Sequence, residues 1–197
     1  MTRLWLVRHG PTHQKVMTGW RDVPVDLSDS AALSRLDDYL PSDALLVSSD
    51  LTRAVQTADA LNCRRHRLPH RADLREINFG AWDGLHHTQV AARDPVLSRQ
   101  FWENPGDLAA PDGESWNAVT ARVAAVIDSA IADLAPAHLI IVAHMGAIMS
   151  QIPRATGESA YQSMAHQIDP LGVTDMTLDR GKWQIGQINH RPSGNAP

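Results

Sequence analysis

Four short segments of the chain carry residue types that together can handle a phosphoryl group. Arg8-His9-Gly10 follows the apolar run Leu4 to Val7, and Ser48-Ser49-Asp50-Leu51-Thr52-Arg53 follows a second such run. Val142-Ala143-His144-Met145-Gly146 closes a third, and Leu74-Arg75-Glu76-Ile77-Asn78-Phe79 embeds a carboxylate among apolar and aromatic neighbours. A phosphoryl group carries about two negative charges at neutral pH, so a pocket that holds it needs several donors converging from different elements. Arg8, Arg53 and His144 can supply them, the two guanidinium groups by paired hydrogen bonds to the oxygens. His9, if neutral, offers an imidazole nitrogen able to attack phosphorus, and flanking arginines favour the neutral form by repelling the imidazolium. Glu76 can then protonate the departing alkoxide and later take a proton from the hydrolytic water. Each reading has a plainer competitor. Arg53 could pair with Asp50 or Asp59, His144 could be a hydrogen-bonded core histidine, Glu76 could be a surface acid displaced by Asp73 or Asp83, and His9 could be structural.

Chemistry of this kind needs a rigid element behind each residue. Leu4-Trp5-Leu6-Val7 and Leu139-Ile140-Ile141-Val142-Ala143 read as strands buried on both faces, the type found in parallel sheets, and Ala44 to Val47 reads as a third. Helices follow two of them: Thr52 to Leu61 after a turn at Ser48-Ser49-Asp50, and Gly146 to Ala155, which Pro153 kinks or shortens. The longest helical pattern begins at Glu114, where Val119, Val123, Val126, Ile127, Ile131 and Leu134 recur at spacings of three and four before Pro136. Val173 to Leu178 and Trp183 to Ile188 flank Asp179-Arg180-Gly181-Lys182 as a hairpin. The predicted fold class is α/β: a three-layer sandwich with a mostly parallel central sheet flanked by helices, closed by a C-terminal β-hairpin. Residues 1–189 are expected to form one domain, 190–197 a loose tail, and Asn104 to Gly113 a surface loop. Open α/β sheets bind ligands at the carboxyl ends of their strands, which is where His9, Arg53 and His144 fall.

Four such segments in this order resemble the histidine phosphatase superfamily, also called the phosphoglycerate mutase-like family. The resemblance runs from about Leu4 to the terminal hairpin and includes the helix start Gly113-Glu114-Ser115. It implies a catalytic set of Arg8, His9, Arg53, Glu76 and His144, a phosphohistidine intermediate on His9, and neither metal nor cofactor. It also carries over Thr12, Thr18 and Gly19 as phosphate or substrate contacts, with the backbone N–H of Met145 facing phosphate. The chain departs from the family at Pro11, Thr12, His13 and Gln14, where members commonly carry Glu or Gln and then Asn. Met145 replaces a small residue, often glycine, and narrows the pocket. The segment Glu76-Ile77-Asn78-Phe79-Gly80-Ala81-Trp82-Asp83-Gly84, with only a short stretch before Gly113, is similar to phosphatases acting on sugar phosphates or on α-ribazole phosphate. The implied function is a phosphomonoester hydrolase of the histidine acid phosphatase type acting on a small phosphorylated metabolite. The alternatives are cofactor-dependent, mutase-type phosphoryl transfer and a non-catalytic phosphate-binding protein of the same fold. Leaving-group selection is expected from loops at Pro11 to Arg21 and Leu85 to Asp112.

Composition narrows the rest. With 197 residues the chain is long enough for a sizeable core, and 18 basic against 22 acidic residues give a net charge of −4, which argues against a surface built to grip nucleic acid. The lone Cys63 excludes an intrachain disulfide; beside Arg64 and Arg65 it is either a small apolar side chain or a reactive thiol. Leu4 to Val7 is stopped by Arg8, far short of a membrane span, so a soluble cytoplasmic protein with no membrane partner is expected. The oligomeric state is left open. His86-His87 and His66 with His70 read as solvated histidines, because no cysteine or acidic cluster completes a metal site. Arg64, Arg65 and Arg67 read as a solvated strand edge or a substrate-anion contact, and Trp20 and Trp82 as stackers at the pocket mouth or as packing.

Overall fold

The two most apolar runs become neighbouring strands at the centre of the sheet. The computed structural model describes residues 1–62 and 64–193; Cys63 and residues 194–197 lie outside them, and with them the expectations for the lone thiol and the end of the tail. In chain order the elements are β1 (Thr2–Arg8), α1 (Ser30–Tyr39), β2 (Leu45–Ser48), α2 (Thr52–Ala60), β3 (His66–Arg67), α3 (His87–Arg93), α4 (Pro95–Glu103) and α5 (Trp116–Leu134). They continue with β4 (His138–Ala143), α6 (Met145–Met149), α7 (Pro153–Thr156), α8 (Ala160–Ser163), β5 (Val173–Asp179) and β6 (Lys182–Ile185). Single 3-10 turns occupy Ala72–Leu74 and Gly80–Trp82. The sheet order is β3-β2-β4-β1-β5-β6. The first four strands are parallel and the last two antiparallel, as predicted. Arg180 and Gly181 turn the closing hairpin with φ of 48° and 77°, the left-handed pair that a two-residue hairpin turn requires.

Alternation along β1 and β4 divides the core. Leu4, Leu6, Leu139 and Ile141 face one way and meet Val119, Val123 and Ile127 of α5. Trp5, Val7, Ile140 and Val142 face the other way, toward Leu36 of α1 and Ala54 and Ala58 of α2. Helices therefore cover both faces, which is why these strands read as continuous apolar runs. Ser115 caps α5, its Oγ accepting the Ala118 N–H at 3.2 Å, and the helix ends at Ala135 in the left-handed region before Pro136. Leu134, last in the apolar pattern, is 50% exposed and lies past the buried stripe.

Several expectations change. Pro153 does not kink one long helix; it opens a new one, so the predicted Gly146 to Ala155 helix is α6 followed by α7. The stretch Leu85 to Asp112, expected as loop, contains α3 and α4, and α1 was not anticipated. His190 is tied to Val173 by two backbone hydrogen bonds of 2.8 and 2.7 Å, so the loose stretch does not begin there. Arg65 is not part of a solvated edge. It is buried, donates to the carbonyls of Leu40, Pro41 and Leu61, and pairs with Asp37. It thereby satisfies the orphan carbonyls at the ends of α1 and α2. Arg64 is exposed and pairs with Asp37 and Asp38.

Candidate active site

Because β1 and β4 are adjacent and parallel, with Arg8 opposite Ala143, the residues that leave their ends emerge side by side. His9 donates its backbone N–H to Ala143 O at 3.0 Å. His144 follows Ala143, and the two imidazole rings meet at 60° with centroids 5.1 Å apart. His9 Nδ1 lies 2.6 Å from Gly10 O. A carbonyl oxygen only accepts, so Nδ1 carries the hydrogen and Nε2 keeps its lone pair. Thr57 Oγ1 accepts the Gly10 N–H at 3.0 Å and holds that carbonyl's residue in place.

Two arginines reach the same place from different elements. Arg8, last in β1, donates Nη1 to Ile168 O at 2.5 Å. Arg53, in the first turn of α2, is 1% exposed and donates to Arg21 O at 3.0 Å and Gly19 O at 2.7 Å. Among the described residues no carboxylate lies within ion-pairing distance of either. The plainer partners proposed for Arg53 are engaged elsewhere: Asp50 with Arg75 at 2.6 Å and Asp59 with Arg67 at 3.5 Å. Glu76 is buried; its Oε1 accepts the Ile77 N–H at 3.0 Å and its Oε2 the Gly146 N–H at 3.2 Å. Asp83, its sequence competitor, accepts the backbone N–H groups of Gly19 and Arg21.

Burial, then the field of Arg53, pushes the His9 imidazole down to about 3, against an opposing pull from Gly10 O and with a lesser push from Arg8. His144 is held well below its ordinary range by burial first and by His9 and the arginines next. Both rings are neutral near pH 7. Burial also lowers Arg8 and Arg53, which Glu76 partly offsets. The result is two guanidiniums, Arg53 buried and Arg8 partly buried, with no carboxylate in ion-pairing contact beside a neutral imidazole, a costly arrangement for a chain with no anion to hold.

Arg8, His9, Arg53 and Glu76 line a cavity of about 220 Å3, together with Thr12 and Thr18 from the loop after β1 and Met145 from α6. Two expected contacts do not line it. His144 lies against His9, fully buried, with both ring nitrogens unpartnered among the described residues. Gly19 has its N–H on Asp83 and its carbonyl on Arg53, so it positions the arginine. Trp82 is core, fully buried, with Nε1 on Asp94. Trp20 donates Nε1 to Glu76 O at 2.8 Å, beneath the Arg75 guanidinium. Sequence reasoning missed Trp102 and Met149, which line the cavity. It also missed Arg122, which donates to the carbonyls of Asp73, Arg75 and Glu76 while pairing with Glu114. Among the described residues no group of three or more His, Cys, Asp or Glu side chains is arranged to hold a metal ion. None of their helices is long and apolar enough to cross a membrane.

The family model described as histidine phosphatase superfamily (branch 1) matches residues 4–191. The chain belongs to this superfamily. Among curated members, it is 32% identical over 163 residues to an adenosylcobalamin/alpha-ribazole phosphatase of Salmonella typhimurium, covering 77% of this chain and 78% of that one. It is 33% identical over 158 residues, 73% of its length, to a bifunctional protein of Mycobacterium tuberculosis. There the match spans only 41% of the relative. A solved mycobacterial glucosyl-3-phosphoglycerate phosphatase superposes with a TM-score of 0.83 at 25% identity, covering 96% of this chain and 99% of that one. The six-stranded sheet and its closing hairpin are thus a histidine phosphatase fold.

Proposed function

We propose that this histidine phosphatase-family chain hydrolyses phosphomonoesters of a small metabolite through a covalent phosphohistidine on His9. The observation that carries the reading is the tautomer lock. Gly10 O holds the Nδ1 hydrogen at 2.6 Å, while burial and two arginines keep the ring neutral, leaving Nε2 as a nucleophile toward the cavity. Arg8 and Arg53 bind the phosphoryl oxygens and spread the transition-state charge. His144 lies outside the cavity lining, but its unpartnered ring nitrogens sit beside His9. Its proposed role is to donate to a further oxygen once the phosphoryl group is against the His9 ring. In the first step the Nε2 lone pair forms the N–P bond, the ester P–O bond breaks, and Glu76 gives its proton to the departing alkoxide. In the second, Glu76 takes a proton from water, the resulting hydroxide attacks phosphorus, and the N–P bond breaks to release inorganic phosphate. The role requires Glu76 to carry a proton while substrate is bound.

Relatives named for α-ribazole and glucosyl-3-phosphoglycerate phosphatase activity support a small phosphorylated metabolite as substrate. Thr12, Thr18 and the backbone of Met145 are proposed substrate contacts. The test is rapid quench with an ester labelled in its phosphoryl group. An acid-labile, alkali-stable adduct should form on wild type within one turnover, map to His9, and vanish in His9→Ala. Phosphate release in wild type with no such adduct would overturn the mechanism.

A further inference from the structure

Outward from His9 the cavity changes character. Its remaining wall includes Met17, Phe79, Trp102, Met145, Met149 and Met164. Among the described residues the only guanidiniums on the lining are Arg8 and Arg53, and the only carboxylate is Glu76. All three are occupied by the phosphoryl group and its leaving oxygen in the reading above, on which this inference rests. Two further cations touch wall residues from outside the lining: Arg122, held by Glu114, on the Glu76 carbonyl at 2.8 Å, and Arg21 on Gln14 Oε1 at 2.9 Å. A second anionic group on the substrate would therefore enter a wall with no charge to meet it. The remaining polar side chains of the wall are Thr12, Gln14 and Thr18; of these, Gln14 is engaged by Arg21 and Thr12 O, and Thr18 Oγ1 donates to Val16 O. A leaving group rich in hydroxyls would thus lose water there with few free partners to replace it. Thioethers and an indole do the opposite for a flat ring: they are polarizable, and sulfur and aromatic faces attract aromatic carbon. Trp102 is 38% exposed and Met145 39%, so both retain surface for a ligand. Trp102 is already backed edge-on by Phe101, at 4.9 Å and 87°, which fixes its plane before binding.

We infer that the substrate is a phosphomonoester whose leaving group is uncharged and carries an aromatic ring seated against Trp102 and the methionines. The cavity, at about 220 Å3, is below the roughly 300–1,000 Å3 of pockets for drug-sized ligands, so a phosphate with one ring system fills it. Three alkyl phosphates of similar intrinsic reactivity separate the possibilities: 2-(1-naphthyl)ethyl phosphate, glycerol 1-phosphate and 3-phosphoglycerate. Wild type should show kcat/KM at least about tenfold higher for the naphthyl ester than for either other, most of it in KM. Trp102→Ala should cut that preference by about tenfold. Met145→Lys, at an exposed position that tolerates a charge, should shift the ratio toward 3-phosphoglycerate. Equal rates on all three, or ratios unmoved by both variants, would overturn the aromatic assignment while leaving the phosphomonoesterase reading intact. No turnover of any of them and no adduct on His9 would remove both.

Discussion

Gly146 donates its backbone N–H to Glu76 Oε2 at 3.2 Å, and a Cβ built on Gly146 would lie 2.5 Å from Oε1 of the same carboxylate. The first turn of α6 thus comes close enough to hold the proposed proton donor only because that position lacks a side chain. The other atoms such a Cβ would meet are side-chain carbons of Ile77, at 2.8 Å. Gly146→Ala should therefore fold, with Glu76 giving way. A shift near 1 Å at a reacting group costs about a hundredfold in rate, so kcat should fall by about that factor while Tm stays within a few degrees of wild type. Collapse of Tm with full specific activity in the folded fraction would refute the relationship.

Arg8 and Arg53 are the obvious place to look for anion-linked stability. Buried Arg53 and partly buried Arg8, with no ion-pair partner among the described residues, repel each other, and a phosphate dianion relieves both costs at once. Inorganic phosphate at a hundredfold excess over its Kd should add about 2.7 kcal/mol, or roughly 5–10 °C in Tm for a chain of this size. Arg53→Met should lose most of that shift in a thermal melt with and without phosphate. An undiminished shift in the variant would place the anion elsewhere.

The sequence disclosed those parts of the molecule that repeat an apolar signal over enough positions. The strands on either side of His9 and His144 are unbroken apolar runs, and five buried side chains of α5 mark its stripe. Helices α3 and α4 left no such trace: one buries Val90 alone, the other Ser98 and Phe101. That is too few positions for a period to stand out. Trp102 was overlooked for the same reason, since its helix was not expected. Arg65 misled because a basic run looks solvated, whereas its partners Leu40, Pro41 and Asp37 lie 24 to 28 residues back in the chain. Arg8, His9, Arg53 and Glu76 were legible as residues, yet the groups that hold them were not. Those are carbonyls and N–H groups of Gly10, Gly19, Ile168 and Gly146, and backbone polar atoms have no letter in a sequence.

Folding stability should carry a histidine signature in mild acid. The unfolded chain binds a proton at His9 near the ordinary value of 6.5, but the folded chain does so only near 3. Between those values the unfolded state holds more protons, so stability rises with pH across this window and is lost as pH falls from 6.5 toward 3. From pH 7 to pH 5 His9 should account for about 2 kcal/mol, and His144, lowered in the same direction, adds to the slope. Urea midpoints at the two pH values check this. His9→Asn should show a shallower loss than wild type, and an equal or steeper loss would mean that the buried imidazole is charged.

Arg122 governs the segment that carries Glu76. From α5 it forks onto Glu114 at 2.6 and 3.0 Å and donates to the carbonyls of Asp73, Arg75 and Glu76 at 2.9, 2.7 and 2.8 Å. Residues 75–79 form no helix or strand, so these bonds, with Trp20 Nε1 on Glu76 O, take the place of a regular ladder. Arg122→Met leaves Glu114 unpaired and mostly buried, a change that costs about 3–5 kcal/mol. Adding Glu114→Gln should restore part of it, because the uncompensated charge is then gone. Arg122→Lys keeps the charge but cannot span both the carboxylate and three carbonyls. It should hold stability better than Met while kcat falls about tenfold or more, through a displaced Glu76. Denaturant melts and steady-state kinetics on the three variants decide the matter: if Lys matches wild type in both, the fork geometry at Arg122 does not position the acid.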